Sequence, residues 1–198
     1  MKKPVNNEKY KAILKTAHDL FWKFGFRRVT IEEVCREASV SKMTFYRFFS
    51  NKIDLVREVV NDLFDQIDLK YRKLMAQDVP FEEKVRQQLI MKFEGTNDIS
   101  AELVKDIYGD LESDIYALWK SRADNMLQTV FSDYSEAQKR GEIRKDMKLE
   151  FMIYMSNKTI EIASDPEIQA MYPDMQSVVM EIANMFFYGI LPREQKNE

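Results

Sequence analysis

Cysteine and histidine each occur once in this chain of 198 residues, and glycine and proline five times each. Each scarcity closes off a class of chemistry. A lone Cys35 permits no disulfide within the chain, which fits a reducing compartment such as the cytoplasm. A lone His18 supports no Ser/His/Asp arrangement. The neighbouring acids Asp110, Glu112 and Asp114 have no His or Cys beside them to complete a metal set, and they read as a solvated helix face. With so few glycines there is neither a dinucleotide-binding fingerprint nor a phosphate-binding loop. No apolar run approaches the ~18 residues of a membrane span. The opening Met1-Lys2-Lys3-Pro4-Val5-Asn6-Asn7-Glu8 lacks the hydrophobic region of a signal peptide. The expectation is a cytoplasmic, non-enzymatic protein with no cofactor, no metal and no membrane partner.

What is present is hydrophobic (45%) and charged (32%) sequence with few interruptions, a composition that favours long helices over sandwiches or barrels. Apolar residues recur at helical spacing from Ile13 to Phe24, after a capping Asn7 and before a stopping Gly25. A short helix follows from Thr30. There Thr30 and Glu33 stand in capping-box relation, and Ile31, Val34, Cys35 and Ala38 form the inner stripe. After the turn Ser39-Val40-Ser41 comes another short helix. A fourth, capped by Ser50 or Asn51, keeps its period as far as Leu74. Further helices are predicted over about 80–94, 99–107, 110–140, 148–164 and 174–190, with Asp165-Pro166 and Tyr172-Pro173 punctuating a loop. No stretch reads as a strand. The chain is predicted to be all-α, with an N-terminal three-helix head over 7–53 joined by the long fourth helix to a larger helical domain over 54–198.

The two parts differ in charge. Residues 1–60 hold 13 Lys+Arg against 7 Asp+Glu, a balance of +6, and the remaining residues hold 17 against 26, a balance of −9. A basic head on an acidic body restricts any nucleic-acid contact to the head. The stretch Val40 to Lys52 sharpens this. Stepped at roughly 100° per residue, Phe45, Phe48 and Phe49 fall on one apolar face, and Tyr46, Met43, Arg47 and Thr44 on the other. A core helix has no use for cations there, whereas a helix seated in a DNA groove does. Two short helices across a three- or four-residue turn make a helix-turn-helix, whose second helix enters the major groove. On this reading Lys42, Met43, Thr44 and Arg47 face base edges, and Arg47 is able to bridge two acceptors of guanine. It serves equally well as a phosphate contact or a solvated cation. Thr30, at a helix N-terminus, offers its hydroxyl and backbone N–H to a phosphate. Arg27 and Arg28 are placed to touch the flanking backbone.

Residues 30–52 resemble the TetR family of bacterial transcriptional regulators. The resemblance is carried by Thr30-Ile31-Glu32-Glu33-Val34 through Ala38, by Val40-Ser41-Lys42-Met43-Thr44-Phe45-Tyr46-Arg47-Phe48-Phe49, and by Lys52 and Leu55. The rest of the chain agrees in kind, through its length, its helical pattern and Gly141-Glu142-Ile143-Arg144 before the last helices. Ser39 departs from the pattern where the turn often has Gly, Met43 where a small residue is frequent, and Phe48 where His is frequent. The resemblance implies a two-fold dimer, each subunit placing its third helix in the major groove of a palindromic DNA operator. Half-sites would lie about one helical turn apart, on the order of 34 Å, or a multiple of it. Tyr46 and Lys52 match positions that contact phosphates. The larger domain would bind a small apolar or amphipathic effector that releases the operator, which makes the protein a repressor.

Ten of the twelve methionines lie in that larger domain among many aromatics, a composition that suits an adaptable apolar pocket or an ordinary core. Phe93, Tyr108, Tyr116, Trp119, Met126 and Tyr154 fall on the helices that surround the family's pocket, and are the candidates for its lining. Two late helices carry apolar stripes (Phe151, Met152, Met155, Ile160; Val178, Val179, Ile182, Met185, Phe186) suited to a four-helix homodimer interface. The residues leave two other readings open: an all-α ligand carrier, or a protein-interaction module whose third helix binds a partner in place of DNA.

Overall fold

The structure is a computed structural model that describes residues 7–97, 99–163 and 165–191, without the side chains of 156, 157 and 159–161. The arm before Asn7, the break residue Asp98 and the side chain of Ile160 lie outside the described residues. Within them the protein is all-α, with ten helices and no strand. Helix α1 (Glu8–Phe24) starts where Asn7 Oδ1 accepts the N–H groups of Lys9 and Tyr10. It stops at Gly25, whose N–H donates to Phe21 O at 2.9 Å and whose φ of 74° suits a residue without Cβ. Helix α2 (Ile31–Glu37) opens on the Thr30–Glu33 capping box, and α3 (Lys42–Tyr46) on Ser41, whose hydroxyl accepts the Thr44 N–H. Helix α4 (Lys52–Met75) starts at Asn51, whose Oδ1 accepts the Asp54 N–H at 2.9 Å.

Helices α5 (Phe81–Gly95), α6 (Ala101–Tyr108), α7 (Asp114–Arg140), α8 (Leu149–Ala163), α9 (Pro166–Ala170) and α10 (Met175–Ile190) complete the chain. Two of these differ from the sequence expectation. Helix α7 begins at Asp114, later than the predicted 110, because Asp110–Ser113 closes its own turn. Asp110 Oδ1 accepts the Glu112 N–H, and Ser113 Oγ donates to Asp110 O and accepts the Tyr116 N–H. The predicted loop at 165–173 contains α9, because Asp165 caps Pro166 at the first helical position, where its missing N–H costs nothing.

The helices form two compact units. The first takes the chain as far as Gln66 together with the segment ending at Arg122. Its core is Ile13, Ala17, Phe21, Val34, Phe45, Phe49, Leu55 and Val56. Tyr10 stacks on Phe49 with ring centroids 5.4 Å apart, meets the Phe48 ring edge-on, and donates its hydroxyl to Glu58 Oε2 at 3.0 Å. Burial and that carboxylate both raise the phenol's pKa. Helix α6 docks on α1 in the same unit, with Ser100 N–H donating to Trp22 O at 3.0 Å.

The second unit takes Ile67–Asn97 and the chain from Ala123 onward. Phe81, Val85, Tyr134, Ala137, Ile143, Leu149, Met152 and Ile190 form its core. Tyr134 meets the Phe81 ring edge-on and donates to Gln88 Oε1 at 2.8 Å, which satisfies both buried polar groups. The Gly141–Arg144 turn is pinned by Gln138 Nε2, which donates to the Arg144 and Met147 carbonyls. Of the stripes expected to dimerise, Met152, Val178 and Val179 instead belong to the subunit's own core. The apolar residues left facing out on α8 and α10 are Phe151, Tyr154, Met185 and Tyr188, all more than half exposed.

Candidate nucleic-acid interface

The interface is built from α2, α3 and the turn between them. Helix α3 is held by its aromatic side. Phe45 is fully buried, Phe49 nearly so, and their rings tilt together at 5.4 Å. Anchoring that side turns Lys42, Met43, Tyr46 and Arg47 to solvent. Met43 is 79% exposed and Tyr46 55%, the tyrosine ring edge-on to Phe45. The Arg47 side chain, at the α3 C-cap, has no hydrogen-bond or ion-pair partner among the described residues.

The remaining sequence candidates are exposed to different degrees and already engaged. The Lys42 ammonium pairs with the Glu32 carboxylate of α2. That hydrogen bond holds the Glu32 carboxyl below its usual pKa and raises that of Lys42. Thr44 is half-buried, and its hydroxyl lies 3.0 Å from Ser41 Oγ. Thr30 is committed on both sides. Its Oγ1 accepts the Glu33 N–H, and its own N–H and hydroxyl donate to Glu33 Oε2 at 2.8 and 3.0 Å. Those two donors depress the Glu33 carboxyl. The α2 N-terminus therefore carries an anion of the chain's own. Lys52 Nζ donates to the carbonyls of Arg27 and Val29, at 2.9 and 3.0 Å, which leaves one of its three N–H groups.

The stretch between α1 and α2 is gripped from the other side by Asp106 of α6, a residue that sequence reasoning does not single out. Asp106 Oδ2 accepts the Arg27 N–H at 2.7 Å, and Oδ1 lies 3.6 Å from the Arg27 Nε. A Cβ on Gly25 would stand 2.6 Å from that carboxylate, so glycine is required by space as well as by φ. Arg28 lies over the Phe24 ring, 4.8 Å from its centroid. Of these partners only Ser41, a capping residue directly before a helix, had a local signal. Glu32 and Asp106 act across helices.

Three of the six residues expected to line an effector pocket come together in the first unit. Trp119 Nε1 donates to Tyr108 Oη at 2.8 Å, Tyr108 meets Tyr116 edge-on, and Trp119 meets Phe64 edge-on at 5.1 Å. Burial pushes the Tyr108 phenol up to about 12. Trp119 also closes an apolar crevice lined by Phe21, Trp22, Val56, Val60, Leu103 and Ile107 among others. Phe93, Met126 and Tyr154 belong to the second unit. Phe93 and Tyr154 are surface residues there, 54% and 58% exposed. Tyr154 stands roughly 200° round α8 from the buried Met152, and Phe93 lies at the edge of the α5 stripe. Asp114, one of the neighbouring acids, pairs with Arg57 at 2.7 Å. Cys35 is buried in the head, and burial raises its thiol pKa.

Residues 13–59 match the model of the family described as bacterial regulatory proteins, tetR family, a span that runs from α1 into α4 and includes the whole of α2 and α3. The HTH-type transcriptional regulator YhgD of Bacillus subtilis is 27% identical over 135 residues, which cover 62% of this chain and 71% of that protein. The fatty acid degradation regulator FadR of Bacillus halodurans has the same fold, with a TM-score of 0.72 at 17% identity over 95% of this chain and 99% of that one. A transcriptional regulator FadR of Bacillus subtilis, solved in complex with stearoyl-CoA, gives 0.59 at 15% identity, covering 91% and 99%. Together these likenesses support a transcriptional regulator of the tetR type, with the helix-turn-helix described above in the segment that matches the family.

Proposed function

We propose that the protein is a cytoplasmic, ligand-responsive repressor that binds a palindromic DNA operator as a homodimer. The observation that carries this reading is the solvent side of α3, where Met43, Tyr46 and Arg47, unpartnered among the described residues, project from an aromatic anchor within the basic residues 1–60, whose balance is +6. Residues 7–53 make the DNA contacts and 54–198 bind effector and partner. Arg47 and Met43 meet base edges, with Lys42 and Thr44 beside them. Tyr46 and the remaining N–H of Lys52 meet phosphates, and Thr30 joins them where a phosphate displaces the Glu33 carboxylate from its two donors. A second copy covers Phe151, Tyr154, Met185 and Tyr188, apolar area that a lone subunit leaves wet.

The effector is small and apolar or amphipathic. Support comes from the apolar crevice that Trp119 closes, with the half-buried Tyr108 phenol hydrogen-bonded to the indole N–H, and from the likeness to a regulator solved with an acyl-CoA. Effector binding that favours a wrongly spaced pair of heads would weaken operator affinity roughly 5–150-fold, the span of 1–3 kcal/mol of coupling. The test is selection from a random duplex library followed by anisotropy titration. A palindromic site is expected. Arg47→Ala should weaken it by roughly one to two orders of magnitude, the loss of a bidentate contact worth about 1–3 kcal/mol. No enriched palindrome, together with unchanged binding by the variant, refutes the reading.

A further inference from the structure

The exposed side of α3 narrows to two readers. Phe45 sets the inward direction. With Lys42 at zero on the helical wheel, Phe45 falls at roughly 300°, so the outward direction is roughly 120° and lies between Met43 and Arg47, at roughly 100° and 140°. The flanking positions are Tyr46, at roughly 40° and edge-on to the Phe45 ring, and Thr44, at roughly 200° and engaged by Ser41, while Lys42 lies farther round and pairs with Glu32. Met43 is the most exposed large hydrophobic side chain among the described residues. Nothing in the folded subunit rewards it there: it packs on no core, and its sulfur is a weak acceptor for any polar group.

We propose that Met43 reads a thymine, packing on the 5-methyl group, and that Arg47 reads a guanine about two base pairs away. This rests on the DNA-binding reading above. The thymine methyl is the apolar feature that the major groove presents, and a flexible, polarisable thioether is suited to cover it. Arg47 supplies the fork that bridges guanine O6 and N7. The two residues are four apart, roughly 6 Å along the helix axis. A base step is about 3.4 Å, so the two contacts fall about two steps apart when the axis follows the groove. Lys42 sits to one side of this line and acts on the backbone.

The experiment uses the full chain and the duplex it enriches from a random library. Each thymine is replaced in turn by deoxyuridine, which deletes only the methyl. One position per half-site should lose roughly three- to tenfold in affinity, the worth of one buried methyl group with its packing. Met43→Ala, an exposed change to a better helix former, should abolish that sensitivity. Replacing guanine by 7-deazaguanine should mark a second position about two pairs away whose sensitivity Arg47→Ala removes. An enriched duplex indifferent to uracil, or a uracil effect undiminished in Met43→Ala, overturns the inference and leaves DNA binding intact. A selection that enriches no duplex sinks both.

Discussion

Ser39 is the one non-glycine residue with positive φ among the described residues, at 53°. Its hydrogen bonds explain why. Val40 N–H donates to Cys35 O at 2.9 Å and Ser39 N–H to Arg36 O at 3.1 Å. This crossed pair is a Schellman turn after α2, and such a turn needs its central residue left-handed. The conformation costs an L-residue about 1–2 kcal/mol. Glycine avoids that but loses about 0.5–1 kcal/mol more chain entropy on folding. The serine side chain is exposed, so little packing is at stake. Ser39→Gly should therefore stabilise the protein by about 0.5–1 kcal/mol, which for a chain of this size is about 1–4 °C in Tm. Urea unfolding at one fixed protein concentration is the assay, since association would otherwise move the midpoint. The midpoint should rise at constant slope. Ser39→Ala removes the hydroxyl and keeps the Cβ, so it should gain nothing. Equal stability of the glycine and alanine variants would refute the strain argument. DNA affinity should not change, because the same two bonds set the angle between α2 and α3.

Thr30→Ala removes the acceptor that caps α2 and should cost about 0.5–2 kcal/mol by the same urea assay. The loss should depend on pH. The Glu33 carboxyl sits below its ordinary value because Thr30 donates to it, so its contribution is present above the unfolded-state pKa of about 4.3 and fades as pH falls below it. Alanine keeps the backbone N–H that donates to Glu33 Oε2 and loses the hydroxyl, so the gap between wild type and Thr30→Ala should narrow on acidification without closing, the Glu33 N–H cap bond being independent of pH; a difference that is constant from pH 6 to pH 3 contradicts this. Asp106→Ala strips the acceptor from the Arg27 amide and should cost about 1.5–3 kcal/mol, as for a hydrogen bond to a charged group. Because the Arg27 ion pair at 3.6 Å adds little, most of that loss should persist in 1 M salt; a loss that vanishes there assigns the effect to the ion pair.

The helix boundaries legible in the sequence are those set by neighbours in the chain. Asn7, Gly25 and the Thr30–Glu33 box act within four residues of the backbone they satisfy, and each stands where the sequence places it. The start of α7 depends instead on whether Asp110 and Ser113 turn on each other, and the periodicity of Leu111 and Ile115 runs straight through that turn. Helix α9 has its signal in Asp165-Pro166, since a proline that interrupts a helix also begins one well. Inside and outside were harder to separate. Val178 and Met185 lie only about 20° apart around their helix but two turns apart along it, yet one is buried and the other 73% exposed, so cover varies along the stripe and not only around it.

At the interface the wheel identifies the side of α3 that meets solvent, but not which of those side chains are available. Availability depends on how helices cross. Lys42 reaches Glu32 only because α2 and α3 meet at the angle the Ser39 turn imposes. Lys52 finds two carbonyls only because the α1–α2 link folds back over the start of α4. The two lysines then differ in a way no motif reveals. An exposed ion pair is worth about 0–1 kcal/mol, so a phosphate can take Lys42 from Glu32 at little cost. Lys52 holds the ends of carbonyls that have no other described donor, so moving it would open the link that Asp106 also grips. Lys42 is therefore held by an exposed pair that it can exchange, whereas Lys52 holds the head in shape and keeps one N–H to spare.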